Sequence, residues 1–304
     1  MSKATVEVAI ALLFHRHRVL VGWREAKQHQ GNKYEFPGGK VEQGEQPEQA
    51  CRREVLEEVG IQLESVHLFD VIRHEYDDIH VHLHLFQAYV NDEQCEQIVA
   101  PWTWYAREQL PQLNFPKAND AIIARLNWPH QIKIGRDVNA LTQLHPDQML
   151  YLRVDDTHPN LVSDISQFES SKLNQLILNI TLWNQLDAKL QRQIGAVHFK
   201  QMQCSDLSFL QAQKMQLIGM RTIAACHDQA SVSLALQQGF DAVLLSPVLE
   251  TQTHQHATAL GWEGFKTIAE KTAIPVFALG GLKPEHLAQA QLFGAYGIAG
   301  ISQF

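Results

Sequence analysis

Three acids, Glu54, Glu57 and Glu58, are spaced i, i+3, i+4 along a helix-compatible run. On a helix these positions share one face. Like charges so placed destabilise a helix by roughly 0.2–0.5 kcal/mol per pair. A cation reverses that sign. Carboxylate oxygens are hard donors suited to Mg²⁺ or Mn²⁺, and such ions usually bridge to a substrate phosphate. The pattern therefore points to metal-assisted chemistry on a phosphate compound. Its competing reading is a solvated acidic helix.

The flanking residues fit a site. Pro37-Gly38-Gly39 breaks the chain before the helix and lets backbone approach a ligand. Pro47 suits a first helical turn. Val55, Leu56 and Val59 supply an apolar side, and Gly60 suits the position after the helix. From Gly39 to Ile61 the run reads G-x5-E-x7-R-E-U-x-E-E-x-G-U with U aliphatic, and Glu45 and Arg53 fill its other charged positions. His80, His82 and His84 alternate, so a strand would place all three on one sheet face. A structural role is the preferred reading of these histidines, because the sequence offers no evident partner acid.

The elements around these residues fall into two sets. Val6–Phe14, Arg18–Trp23, Val66–Tyr76, Ile79–Tyr89 and Trp102–Tyr105 read as strands, with Asp77-Asp78 a hairpin turn. Helices are expected near 47–59 and over Ala118–Leu126, an α+β pattern. Trp128-Pro129-His130 marks the expected boundary between domains 1–128 and 129–304. Beyond it, eight short apolar runs alternate with helical stretches, from Ile132–Ile134 to Gly297–Ile301. That alternation predicts an α/β closed parallel barrel of the TIM type, with a doubly wound open sheet as the alternative.

The 304 residues suit two domains. A net charge of −8 lacks the basic footprint of a nucleic-acid polymer binder. Cys51, Cys95, Cys204 and Cys226 form no C-x-x-C pair and read as reduced thiols of a cytoplasmic protein. No run approaches 18 uninterrupted apolar residues, and no signal-peptide pattern opens the chain, so no membrane partner is expected.

The acidic run matches the Nudix box at every fixed position, and roughly the first 126 residues resemble the Nudix hydrolases of the MutT type. Arg24, His29 and Asn32–Gly39 resemble that branch's approach to the box. Phe115-Pro116-Lys117-Ala118-Asn119 resembles its base-recognition segment. The resemblance implies that Glu54, Glu57, Glu58 and the Gly38 carbonyl hold divalent metal, Mg²⁺ or alternatively Mn²⁺. Glu54 becomes the general base and Arg53 the residue that orients the acids. Arg24, His29, Glu35, Phe36, Pro37, Gly38 and Asn119 line the nucleotide site. An amide offers both a donor and an acceptor, so Asn119 suits a base edge; capping the helix at Asp120–Leu126 is its other reading. One feature departs from the branch. A further acid expected before Trp104 is absent from Ile98-Val99-Ala100-Pro101, and Glu93 and Glu96 are out of register.

Residues from about 130 to 304 resemble thiamine phosphate synthase and its TenI-like relatives, a TIM-barrel family. Ala224–His227, Leu245–Val248, Thr251–His254, Leu260–Trp262, Ala278–Leu282 and Gly297–Ser302 carry the likeness. It implies a pocket for a phosphate-containing ligand built from Ser246, Thr251, Thr253, Gly280, Gly281 and Ser302; ordinary barrel turns are the alternative. The front of the barrel departs from the family. Tyr151–Asp155 keeps only Leu and Arg of a Q-L-R-x-K stretch, and Gly195 stands where a metal-binding aspartate is expected. Synthase activity is therefore not expected.

The function implied is Mg²⁺-dependent pyrophosphohydrolysis of nucleoside triphosphates such as 8-oxo-dGTP, a form of nucleotide-pool sanitation. Two rival readings remain. One is a Nudix pyrophosphatase acting on a thiamine-pathway pyrophosphate; the other is a hydrolase regulated by a ligand-sensing barrel.

Overall fold

The computed structural model describes residues 4–25, 31–75, 79–250, 258–301 and 304. The chain divides into two compact units, Met1–Asn127 and Trp128–Phe304.

The first unit is built on one mixed sheet. Its strands are β1 (Ala4–His15), β2 (Arg18–Arg24), β3 (Lys33–Glu35), β4 (Gly38–Lys40), β5 (His67–Glu75), β6 (Ile79–Tyr89) and β7 (Thr103–Ala106). The main order is β3-β2-β1-β6-β5, with β4 on β1 and β7 on β2. β1 and β6 run parallel and the other pairs antiparallel. The helices α1 (Pro47–Glu58), α2 (Asp92–Gln97) and α3 (Asp120–Leu126) complete it.

Period two along β1 divides its side chains between the sheet faces. Ala9, Ala11 and Leu13 pack with Ala50, Cys51 and Val55 of α1. Small residues on the strand let the helix lie close. On the alternate parity, the Arg107 guanidinium covers Phe14 at 4.4 Å and donates to the Leu126 carbonyl. Pro47 occupies the first turn of α1, and Gly60 (φ +84) lets its N–H return to the Val55 carbonyl. Leu56 departs from the expected apolar side and is 46% exposed, because the buried stripe runs through Ala50, Cys51, Val55 and Val59.

The second unit is a closed parallel barrel of eight strands. They are β8 (Gln131–Gly135), β9 (Gln148–Leu152), β10 (Leu176–Asn179), β11 (Ala196–Phe199), β12 (Thr222–Cys226), β13 (Ala242–Leu245), β14 (Val276–Leu279) and β15 (Gly297–Gly300). All eight expected runs are strands, and β15 pairs with β8, so the open-sheet alternative fails. The strands are short and apolar because parallel barrel strands are buried on both faces. Ile132, Met149, Ile177, Ala196, Ile223, Ala242, Phe277 and Ala299 share one core.

Trp128 belongs to this barrel core and is 2% exposed. Its N–H donates to the Tyr296 hydroxyl at 3.0 Å, and that hydroxyl donates to the Trp128 carbonyl at 2.7 Å. Arg221 covers its ring at 5.0 Å. Truncating a buried aromatic costs about 3–5 kcal/mol. Trp128→Ala is therefore expected to lower the calorimetric transition of the barrel while the transition of residues 1–127 stays in place. An unmoved barrel transition would show that the ring is not needed to close that end.

Candidate active site

The acidic face of α1 is organised by Arg53. Its Nε and Nη2 donate to the two oxygens of Glu45, each at 3.0 Å, and Nη2 also reaches the Lys40 carbonyl at 3.1 Å. Nη1 donates to Glu54 at 2.8 Å and lies 3.5 Å from Glu57. The hydrogen bonds it donates to Glu45 first, then to Glu54, raise the affinity of the guanidinium for its proton. The same bond from Arg53 holds the Glu45 carboxyl below its usual range. Arg53 thus ties the loop before α1 to the acids on it.

β4 brings backbone against these acids. Gly39 pairs with Ala9, and a Cβ at Gly39 would collide with the Glu54 carboxylate. Gly38 has φ +150, and a Cβ there would strike the Ala9 carbonyl. Its N–H donates to Glu58 Oε2 at 3.0 Å. Burial of the carboxyl is the main cause that raises the Glu58 pKa; the Gly38 N–H opposes it, while Glu35 and Glu54 add to it. The helix has no basic residue in its last turn to offset these charges.

This donor set suits a hard divalent cation in chemistry. Glu54 Oε1 is turned to Arg53 and Glu58 Oε2 to Gly38, and among the described residues the other oxygen of each has no hydrogen bond. Among the described residues no three His, Cys, Asp or Glu side chains are gathered around one point.

The expected nucleotide residues lie on neighbouring elements. Glu35 pairs with Gly22 across β2 and β3, and its carboxylate bonds Arg24 Nε. Both charges act on Glu58. Phe36 stacks on Phe115 with centroids 5.0 Å apart, and Tyr34 approaches Phe115 from β3 at 6.0 Å. The Pro37 carbonyl accepts from Ala11 N–H at 2.8 Å. Asn119 is 8% exposed, and its side chain makes no cap hydrogen bond to α3. The capping reading of Asn119 fails. A 3₁₀ turn over Lys117–Asn119 runs straight into α3, so Asn119 already has helical φ −90 and ψ −8, and its side chain makes no cap bond. His29 lies outside the described residues.

In the barrel, Ser246 follows β13 and Gly280 and Gly281 follow β14. Gly280 (φ +110) lies against Pro247, and Gly281 (φ +68) against Leu249 and Glu250. The Ser246 carbonyl is 2.7 Å from His227 Nδ1. Thr251, Thr253 and Ser302 lie outside the described residues. On the other side of the mouth, Asp156 receives Lys200 at 2.8 Å and Asn179 at 3.2 Å. The Tyr151 hydroxyl lies 3.0 Å from His198 Nδ1. Burial, then Lys200 and Arg153, lowers His198 to about 3, and burial pushes Tyr151 up to about 12. No side chain fits at Gly195, because its Cβ would meet the Asn174 carbonyl.

Two partnerships were not read from the sequence. Glu45, a fixed position of the box, is the main partner of Arg53. Glu7 places one oxygen 2.9 Å from His82 and the other 2.6 Å from His84. These histidines therefore have a partner acid, brought by the parallel β1–β6 register from 75 residues away.

Residues 9–125 match the model of the NUDIX domain, and residues 172–304 match that of thiamine monophosphate synthase. The 8-oxo-dGTP diphosphatase of Escherichia coli K12 is 35% identical over 123 residues, which cover 40% of this chain and 95% of the relative. That of Proteus vulgaris is 39% identical over 87 residues, 28% of this chain and 78% of its own. A putative thiamine-phosphate synthase 2 of Aquifex aeolicus is 41% identical over 80 residues, 26% of this chain and only 43% of the relative.

The raised Glu58 pKa has a consequence for stability. The folded state holds the ionised carboxyl less well than the unfolded chain does. Ionised Glu58 therefore subtracts stability above its folded value and none below its unfolded value. Glu58→Gln keeps an acceptor for Gly38 and removes the charge. In EDTA it is expected to melt above the parent chain at about pH 7.5, with the two Tm values converging near pH 4. Equal Tm values at the higher pH would refute the crowding of charge at this helix end.

Proposed function

The chain belongs to the Nudix hydrolases, and we propose that its first unit hydrolyses nucleoside triphosphates with an oxidised purine base. The 8-oxo-dGTP class is the preferred substrate, and the products are 8-oxo-dGMP and pyrophosphate. The observation that carries the substrate class is Asn119. Asn119 is 8% exposed, and its side chain is not used to cap α3. It follows a segment whose Phe115 stacks on Phe36, so a planar base edge is the partner that would suit it. Oxidation at C8 changes an acceptor on the purine edge to a donor, and an amide oxygen meets a donor.

Glu54, Glu57, Glu58 and the Gly38 carbonyl would hold the divalent ion, Mg²⁺ or Mn²⁺. When bound, the ion supplies charge compensation and polarises phosphoryl oxygens. Glu54 takes the proton from the attacking water. Water oxygen bonds to phosphorus, the α–β anhydride bond breaks, and the leaving oxygen keeps the electron pair. Arg53 holds the acids in register and leaves the phosphates to other groups. Arg24 and Glu35 line the nucleotide side as a neutralised pair. The barrel is an accessory ligand-binding or scaffold unit. Asp155 in place of a lysine, and the lack of room for a side chain at Gly195, support its lack of synthase chemistry.

Removing a general base commonly costs about 10²–10⁴-fold. Glu54→Gln is expected to lose that much kcat with its fold retained; near-normal turnover at saturating Mg²⁺ would reject the assignment.

Asn119→Ala tests the substrate class. The ratio of kcat/KM for 8-oxo-dGTP over dGTP is expected to fall roughly ten- to a hundredfold, while dGTP turnover changes much less. An unchanged ratio would reject base recognition by Asn119.

A further inference from the structure

We infer that Trp102 is a positioning residue that fixes the acidic end of α1 relative to the strand carrying Arg24. Its indole N–H donates to the Glu58 carbonyl at 2.8 Å. The last carbonyls of a helix have no intrahelical partner, and this end carries the negative pole of the helix dipole. Two acids stand in that last turn, which contains no basic residue of its own. A neutral donor stabilises such an end without competing for a cation.

The same side chain touches the opposite wall. A Cβ at Gly22 would lie 2.6 Å from Cζ3 and 2.8 Å from Cε3 of Trp102, so the ring occupies the place of a side chain there. Gly22 pairs with Glu35 and lies two residues before Arg24. Trp102 is itself held on both sides. Its backbone N–H donates to Val99, its ring packs on the core that includes Cys51 and Val55, and the next residue, Thr103, pairs with Val21 of β2. One rigid indole therefore spans from β2 to the end of α1. It stands directly after the stretch 98–101, where a further acid was expected and none is present. This chain holds Glu58 there with a hydrogen bond to its backbone.

The inference rests on Glu58 and Arg24 serving one site, as proposed above, and its test separates the two. Trp102→Phe keeps the apolar ring and removes the N–H. Gly22→Ala keeps the indole and displaces the ring. Mn²⁺ is titrated calorimetrically into nucleotide-free protein. Both variants are expected to bind Mn²⁺ about three- to tenfold more weakly, the worth of one hydrogen bond. They should lose kcat by a similar factor and keep the KM for dGTP within about twofold. The double variant should be little worse than either single one, because both break one linkage. In the intact protein, the indole proton resonance that Trp102→Phe deletes should move when Mg²⁺ is added. If Trp102→Phe does not fold, Gly22→Ala carries the same measurements.

A parent chain that binds no Mn²⁺ would overturn the metal reading itself. Normal Mn²⁺ binding in the parent, with affinity and kcat unchanged in the variants and only Tm lowered, would leave Trp102 a packing residue and overturn the positioning role.

Discussion

The first unit depends on keeping several carboxylates together at one helix end. Arg53 is the means. One guanidinium spends its donors on Glu45, Glu54 and the Lys40 carbonyl, so the loop before the helix and the acids on it share one fixed point. Charge-assisted bonds of this kind are stronger than neutral ones and are geometrically selective. The glycines follow from the same constraint. Gly39 must lack a side chain because Glu54 fills that space, and Gly38 because β4 lies against Ala9. The core beneath, with Ala9, Ala11 and Ala50, has small residues that allow α1 to lie this close to the sheet.

The two units treat the polar groups at their candidate sites differently. In the first, Glu54 accepts from Arg53 and Glu58 from the Gly38 N–H, and Asn119 makes no cap bond to α3. In the barrel, Asp156 is already met by Lys200 and Asn179, and Tyr151 meets His198. Its front half satisfies itself. This contrast is why the nucleotide chemistry is assigned to the first unit and an accessory role to the second.

Much was legible before any coordinates. The acids at 54, 57 and 58, the fixed positions around them and the eight apolar runs of the second unit are local patterns. Spacing along the chain determines a helix face or a buried strand, because 3.6 and 2.0 residue periods are properties of backbone geometry. A closed barrel was the preferred reading of the eight runs, since eight parallel strands are enough to close one; the pairing of β15 with β8 decided it against an open sheet. The boundary region was marked by Trp128-Pro129-His130, although local sequence could not show that the Trp128 ring packs inside the barrel.

What only the tertiary structure decided are the contacts between residues far apart in the chain. Glu7 reaches His82 and His84 because β1 and β6 pair in parallel register, which no local pattern encodes. Trp102 read as the start of a short strand; its bond to Glu58 exists because the sheet brings residues 44 positions apart together. Asn119 reads as a possible helix cap in the sequence; its helical backbone and lack of a cap bond set that reading aside. The sequence by itself determined which chemistry the chain can carry, since residue type and period fix the helix face and its charge. The fold decided which of those groups are bound to one another, since that depends on strand register and burial.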